Sequence, residues 1–379
     1  MRGLMFSQFK EWYDKRHKYA RNWKERSGGK VMGCFCSYVP EEILVAGGAL
    51  PVRILGSHEP QNVTEPYIFG MFCPFCRDVL AQGLKGRYDY LDGITISQSC
   101  IHLRQSYVSW REHVEPKVFD HYIYMPNKVQ SRAATPYFKS ELEKFKGAIE
   151  ELTGREISDD DLDRGIAQVN RNRELMHQVY EFRRGEEPKL TGLEAMYMTV
   201  SSTWVDKEEH SAEIERVLEQ LPDRRLDRDT GARLLIVGSE NDDTAFIEML
   251  ENIGATVVVD DHCTGTRYFW NSVEPGEDRL LAIAERYVKR PPCPTKDWEE
   301  RLRFPHILKL CQDFNVQGAI VIQQKFCDPH ECDIMPLREY LDDNDIPNLF
   351  LEFDVTVPIG QFRIRVEAFL EMIGAEDLF

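Results

Sequence analysis

The chain has 379 residues, 42% hydrophobic, 11% aromatic and 29% charged, a composition that supports two or three folded domains and excludes collagen-like or disordered chains. Its 47 Lys and Arg against 64 Asp and Glu leave a net charge of −17, which argues against nucleic acid as the partner. No stretch approaches the roughly 18 apolar residues of a membrane helix, and Met1 to Trp12 lacks the apolar core of a signal peptide, so a cytoplasmic protein with no membrane partner is expected. Ten cysteines in a reducing compartment then point to metal or redox work rather than disulfides.

The first 30 residues carry Phe6, Phe9, Trp12, Tyr13, Tyr19 and Trp23 at helical spacing, which predicts an amphipathic helix lying on the protein body. Cys34 and Cys36 follow in an apolar entry to Pro40-Glu41-Glu42, a helix start because proline suits the first turn and acids suit the positive end of the dipole. A β-rich run at 91–97 precedes Cys100 and a helical pattern through Trp110, and 122–126 reads as another strand. Residues 137–153, 158–184 and 193–221 are long, charged and helix-periodic, and they hold no cysteine. Strands at 233–238, 256–260, 318–322 and 348–352 then restart an α/β alternation. The predicted fold class is α/β, with two doubly wound, Rossmann- or flavodoxin-like parallel sheets and a helical domain between them in sequence. The expected domains are 1–134, 135–225 and 226–379.

Nucleotide chemistry finds no support, because no Gly-x-Gly-x-x-Gly follows a strand and no Walker sequence appears. His-Glu-x-x-His and Gly-x-Ser-x-Gly are likewise absent. The cysteines are the chemical signal. Cys73-Pro-Phe-Cys76 suits zinc, a redox dithiol or part of an iron–sulfur site. Cys36 precedes a predicted helix, while Cys100, Cys263 and Cys327 follow predicted strands, so these loops can converge on one cleft between two α/β domains. Structural zinc prefers two close pairs, whereas cysteines this dispersed suit a cluster held between domains. Cys311, inside a helical stretch, reads as packing.

Several motifs in order resemble the benzoyl-CoA reductase / 2-hydroxyacyl-CoA dehydratase family. They are Gly33-Cys34-Phe35-Cys36-Ser37-Tyr38-Val39-Pro40-Glu41-Glu42, Gly48-Ala49-Leu50-Pro51, Cys73-Pro74-Phe75-Cys76-Arg77 and Ser99-Cys100 in the first third. Asp261-His262-Cys263-Thr264-Gly265-Thr266-Arg267, Arg290-Pro291-Pro292-Cys293-Pro294, Phe326-Cys327-Asp328-Pro329-His330 and Gly360-Gln361-Phe362-Arg363 follow in the last. The resemblance implies a cluster-bearing subunit that takes low-potential electrons from a ferredoxin through an ATP-hydrolysing activator with its own 4Fe-4S cluster, and acts on an acyl-CoA thioester. It pairs with a related cluster-bearing subunit or with itself. Dehydratase members hold one 4Fe-4S cluster on three cysteines, and some reductase members hold a double-cubane cluster on about six.

Cys36, Cys73, Cys100, Cys263, Cys293 and Cys327 are the ligand set that the resemblance implies, with Cys34, Cys76 and Cys332 as possible substitutes. Glu41, Glu42, His102, His262 and His330 are candidates for moving protons, although Glu41 and Glu42 also suit a helix cap. Ile101-His102 departs from the acidic residue expected after the third cysteine. The chain is most like the smaller, cluster-bearing C subunit of class I benzoyl-CoA reductase. The β subunit of a 2-hydroxyacyl-CoA dehydratase is the nearest alternative, and a non-catalytic electron-relay or cluster protein is a third.

Overall fold

The computed structural model describes residues 5–297, 299–355 and 357–376. Eight strands form two four-stranded parallel sheets among these residues. The first contains β1 (Lys30–Cys34), β2 (Ala49–Arg53), β3 (Gly93–Ser97) and β4 (Phe119–Ile123), in the order β2-β1-β3-β4. The second contains β5 (Ala232–Gly238), β6 (Ala255–Asp261), β7 (Gly318–Gln324) and β8 (Asn348–Phe353), in the order β6-β5-β7-β8. Both sheets therefore share one winding, a likeness their sequences do not display. In each, the chain reverses its direction of travel across the sheet between the first and third strands, leaving a crevice at the carboxyl ends where α/β folds gather ligands.

The strands form where the sequence is apolar on both faces, as buried parallel strands require. Every residue from Leu234 to Gly238 and from Gly318 to Gln324 is buried. Gly238 ends β5 at φ 130, and a Cβ there would collide with the Ile322 carbonyl across the β5–β7 ladder. Only glycine accepts both demands. β1 and β2 escape sequence reading because they are five residues long, with Gly33 inside one and Pro51 inside the other. The strand expected at 122–126 lies three residues earlier, where Gly93–Ser97 pairs with Phe119–Ile123.

The N-terminal stripe forms two helices, Ser7–Asp14 and Arg16–Ser27, broken at Lys15. The first buries Phe9 against the core under the second sheet, and the second buries Trp23 in the core of the first. A break allows one stripe to serve two cores.

The helical segment contains Ala134–Thr153, Asp159–Glu181, Gly192–Ser202 and Lys207–Leu218. Asp159–Glu181 opens with a reciprocal capping box between Ser158 and Asp161. Its Leu162 and Ile166 enter the first core, whereas Leu175, Met176 and Val179 enter the second. One rigid helix thus spans both sheets. Near its N-terminal end, Gly165 lets the short helix Glu41–Ala46 approach closely, since a Cβ would strike the Glu42 carbonyl. Further ties are Trp204 Nε1 donating to the Arg53 carbonyl at 2.7 Å and Arg183 donating to the Val257 carbonyl at 2.6 Å. No helix of the described residues is long and apolar enough to cross a membrane.

Candidate metal centre

The carboxyl ends of the two sheets face one cavity. Cys36, Cys73, Cys76, Cys100, Cys263, Cys293 and Cys327 all line it. They come from loops after β1, β3, β6 and β7 and from two further helix junctions. Cys73, Cys100 and Cys327 are the N-cap residues of helices Pro74–Leu84, Ile101–His113 and Asp328–Asp342. The positive ends of three helices therefore meet at the cavity, an arrangement that favours thiolates and anionic groups. The Leu103 N–H donates to Cys100 Sγ at 3.4 Å, a direct instance of that preference.

Each of the six cysteines expected as ligands reaches this cavity, and so does Cys76. Cys34 and Cys332 stand elsewhere: Cys34 is buried at the end of β1, with its Sγ 3.6 Å from the Met32 carbonyl, and Cys332 is exposed. Cys311 packs in the core beneath the second sheet.

Electrostatics differ along the wall. Cys76 interacts with both Cys73 and Cys100 on the cavity wall. Its thiol lowers Cys73 against the opposing effect of burial, with His102 assisting. The same thiol lowers Cys100. Burial raises Cys263 to about 12 and holds Cys76 and Cys327 well above the ordinary thiol value. Those thiols need positive charge or a metal before they ionise.

Positive charge is present. Arg53, Arg267 and Arg290 line the cavity, and Arg53 Nη2 lies 3.9 Å from Cys263 Sγ. Arg267 and Arg290 are fixed by backbone carbonyls, Gly238 at 2.8 Å and Ser37 at 2.7 Å respectively. Arg53 Nε, Arg267 Nη1, Arg290 Nε, Ser99 Oγ and Thr295 Oγ1 are buried without a hydrogen-bond partner among the described residues. Orphaned buried donors are costly and uncommon. A concentration of them around thiols fits an anionic, sulfur-rich group that accepts N–H bonds. Among the described residues no three His, Cys, Asp or Glu side chains are arranged to hold a single metal ion. The donors instead surround a volume, and that donor set fits an iron–sulfur cluster.

The proton-transfer candidates separate. His330 lines the cavity, is buried, and has no partner for its Nδ1 among the described residues. His102 stands beside the wall, with Nδ1 accepting the Cys73 N–H at 3.3 Å and Nε2 3.3 Å from Asp328 Oδ2. His262 Nδ1 lies 3.0 Å from the Ser239 carbonyl, to which it donates. Glu41 and Glu42 lie away from the cavity lining. Tyr268 donates to both Glu41 oxygens at 2.9 and 2.7 Å, with Lys207 at 3.1 Å, and Glu42 pairs with Arg173 at 2.7 Å.

Sequence reading missed the three arginines and Glu240. Arg267 and Arg290 sit in the cysteine motifs, but 47 cationic residues give no way to single them out. Arg53 ends a strand that was itself unrecognised.

The family model described as 2-hydroxyglutaryl-CoA dehydratase, D-component, matches residues 36–373. The chain is 24% identical over 369 residues to the (R)-phenyllactyl-CoA dehydratase beta subunit of Clostridium sporogenes, covering 97% of this chain and 98% of the relative. It is 26% identical to the C subunit of benzoyl-CoA reductase from Thauera aromatica, over 92% of each chain. It is also 26% identical to the beta subunit of (R)-2-hydroxyglutaryl-CoA dehydratase from Acidaminococcus fermentans, over 91% of this chain and 93% of the relative.

Proposed function

The chain belongs to the 2-hydroxyglutaryl-CoA dehydratase D-component family, and from that membership we propose that it is the iron–sulfur subunit of an ATP-dependent acyl-CoA reductase of the benzoyl-CoA type. The observation that carries this reading is the gathering of seven cysteines on one cavity, more than the four that an ordinary single cubane takes from its protein. Cys36, Cys73, Cys100, Cys263, Cys293 and Cys327 would hold a double-cubane cluster, with Cys76 in reach of the first group. Such a cluster supplies low-potential electrons one at a time to a thioester substrate.

The chain's own residues would prepare the site. Arg53, Arg267 and Arg290 would offer N–H donors to an anionic, sulfur-rich group and offset its negative charge. The buried walls exclude water, which strengthens each of these contacts. His330, held neutral by burial with help from Arg267 and Arg303, is the histidine best placed to exchange a proton inside the cavity. His102 orients the Cys73 loop from behind. Glu41 and Glu42, engaged in buried ion pairs, fix the helix after Cys36 rather than meeting substrate.

Electrons would come from a ferredoxin through a separate ATP-hydrolysing activator, in keeping with a chain that carries no nucleotide motif. A related cluster-bearing subunit, or a second copy, would complete the cytoplasmic enzyme. A dehydratase β subunit is the second reading, favoured because two of the three relatives above carry that name. The discriminating assay supplies anaerobic protein, a family activator, a reductant and ATP, then follows benzoyl-CoA beside a 2-hydroxyacyl-CoA. ATP-dependent loss of the aromatic absorbance is expected. Dehydration of the hydroxyacyl thioester without ring reduction would replace the first reading with the second.

A further inference from the structure

A second, smaller pocket lies on the seam between the sheets, and its walls include His58, Asp78, Glu240, Asp242 and Asp354. Glu240, Phe75 and Gln324 line both this pocket and the thiol cavity. Glu240 follows β5, is only 8% exposed, and its Oε1 has no hydrogen-bond partner among the described residues. Two residues on, Asp242 Oδ1 meets His58 Nε2 at 2.7 Å. The Asp242 side chain is 5% exposed and that of His58 is 38% exposed, so the pair runs from the interior to solvent. His58 is held there by its turn: the N–H groups of Ser57 and His58 donate to Asp78 Oδ2 at 2.9 and 2.8 Å, and φ of 59 places His58 in the left-handed region. Together these contacts fix the direction of the His58 side chain toward Asp242.

We propose that Glu240 delivers protons to the thiol cavity and is resupplied from solvent through Asp242 and His58. This deepens the reading of the cavity as a redox centre and rests on it. Adding electrons to a cavity walled by buried side chains accumulates negative charge unless protons follow. For each electron supplied by an iron–sulfur donor, Glu240 transfers its carboxyl proton to the reduced acceptor in the cavity and becomes a carboxylate. Asp242 passes the His58 imidazolium proton to Glu240, and His58 takes a replacement from water. One electron and one proton enter, and the relay returns to its starting state.

The surrounding charges poise this state. Burial, then the Asp242 charge, holds Glu240 well above the ordinary carboxylate range, although His58 and Arg53 oppose them. Burial works against ionised Asp242, but the His58 imidazolium and then Arg16 keep it below its usual value. Asp242 in turn raises His58 to about 10. The inner carboxyl is thereby biased toward its protonated form and the outer pair toward its charged form, the distribution a donor and its supply need.

The test is a potentiometric titration of anaerobic holoprotein between pH 6 and pH 8, with iron quantified in every sample. The wild-type midpoint is expected to fall by about 59 mV per pH unit, one proton per electron, and the slope to vanish in Glu240→Gln. An infrared carboxylic-acid band at pH 7, present in wild type and missing in Glu240→Gln, reads the same proton without relying on reduction. Asp242→Asn is expected to keep the slope and slow substrate reduction by at least about tenfold. Asp354→Asn, exposed in the same pocket, is expected to leave both unchanged. A flat wild-type slope, an unchanged slope in Glu240→Gln, or no acid band in wild type overturns the relay while the iron content stands. Iron-free protein overturns the redox reading, and the relay with it.

Discussion

Arg303→Met is expected to cost about 3–5 kcal/mol of stability, the penalty for stripping the partner from buried charges. Arg303 is fully buried, pairs with Asp261 at 2.8 Å, and also pairs with Asp333; both carboxylates are themselves fully buried. Asp261 additionally meets Arg267 at 3.4 Å, and Asp333 meets Arg301 at 2.6 Å. The network lies directly behind the cavity, because Asp261 ends β6 and is followed by His262 and Cys263. Methionine would fill most of the volume but leave two carboxylates short of a cation in a medium that solvates charge poorly. Urea unfolding measures the loss. Adding Asp333→Asn to Arg303→Met is expected to recover part of it, since one stranded charge is then gone. A loss below about 1 kcal/mol would mean that water reaches this network.

The second large effect concerns Glu42, which is fully buried beside Arg173 and receives a hydrogen bond from Tyr287 at 3.0 Å. Burial alone would raise its pKa, but the guanidiniums of Arg173 and Arg286 overcome this and leave it lowered. A carboxyl lowered on folding contributes stability that is fully present above its unfolded value, about 4.3, and is lost as pH falls through the folded value. Glu42→Ala is therefore expected to cost about 3–5 kcal/mol at pH 7. The difference from wild type should narrow as the pH drops below about 4. Parallel urea titrations at pH 7 and in acid provide the check. An unchanged difference in acid would mean that the glutamate acts through packing rather than charge.

Much of the fold was legible because buried parallel strands and amphipathic helices leave strong periodic signals. The runs at 233–238, 256–260, 318–322 and 348–352 correspond closely to β5, β6, β7 and β8. The paired strands β1 and β2 were missed because Gly33 and Pro51 interrupt short runs, and their position is set by neighbours rather than local propensity. The predicted helix at 193–221 divides at Thr203, whose carbonyl instead accepts the Arg53 N–H at 3.0 Å. That division is tertiary in origin.

The cysteine set was legible in part because loops after parallel strands must open on the same edge. Cys100, Cys263 and Cys327 could be brought together on that rule, and Cys36 joined them through its place before a predicted helix. Cys293 came from its motif, and the cavity-lining role of Cys76 needed coordinates, since the Cys73-x-x-Cys76 spacing does not tell which thiol faces inward. Charge placement was the least legible feature. Glu41 and Glu42 look like a helix cap in sequence, yet their partners Lys207, Arg173, Tyr268 and Tyr287 lie far along the chain. Glu240 carries no motif, and only the meeting of two pockets distinguishes it.

The most direct measurement is iron and acid-labile sulfide per chain in strictly anaerobic protein, alongside Cys100→Ala and Cys263→Ala, one variant from each sheet. About eight irons in wild type, falling in both variants, is the predicted result for one double-cubane centre held between the sheets. Zinc in place of iron, or an iron content that neither substitution lowers, would contradict it.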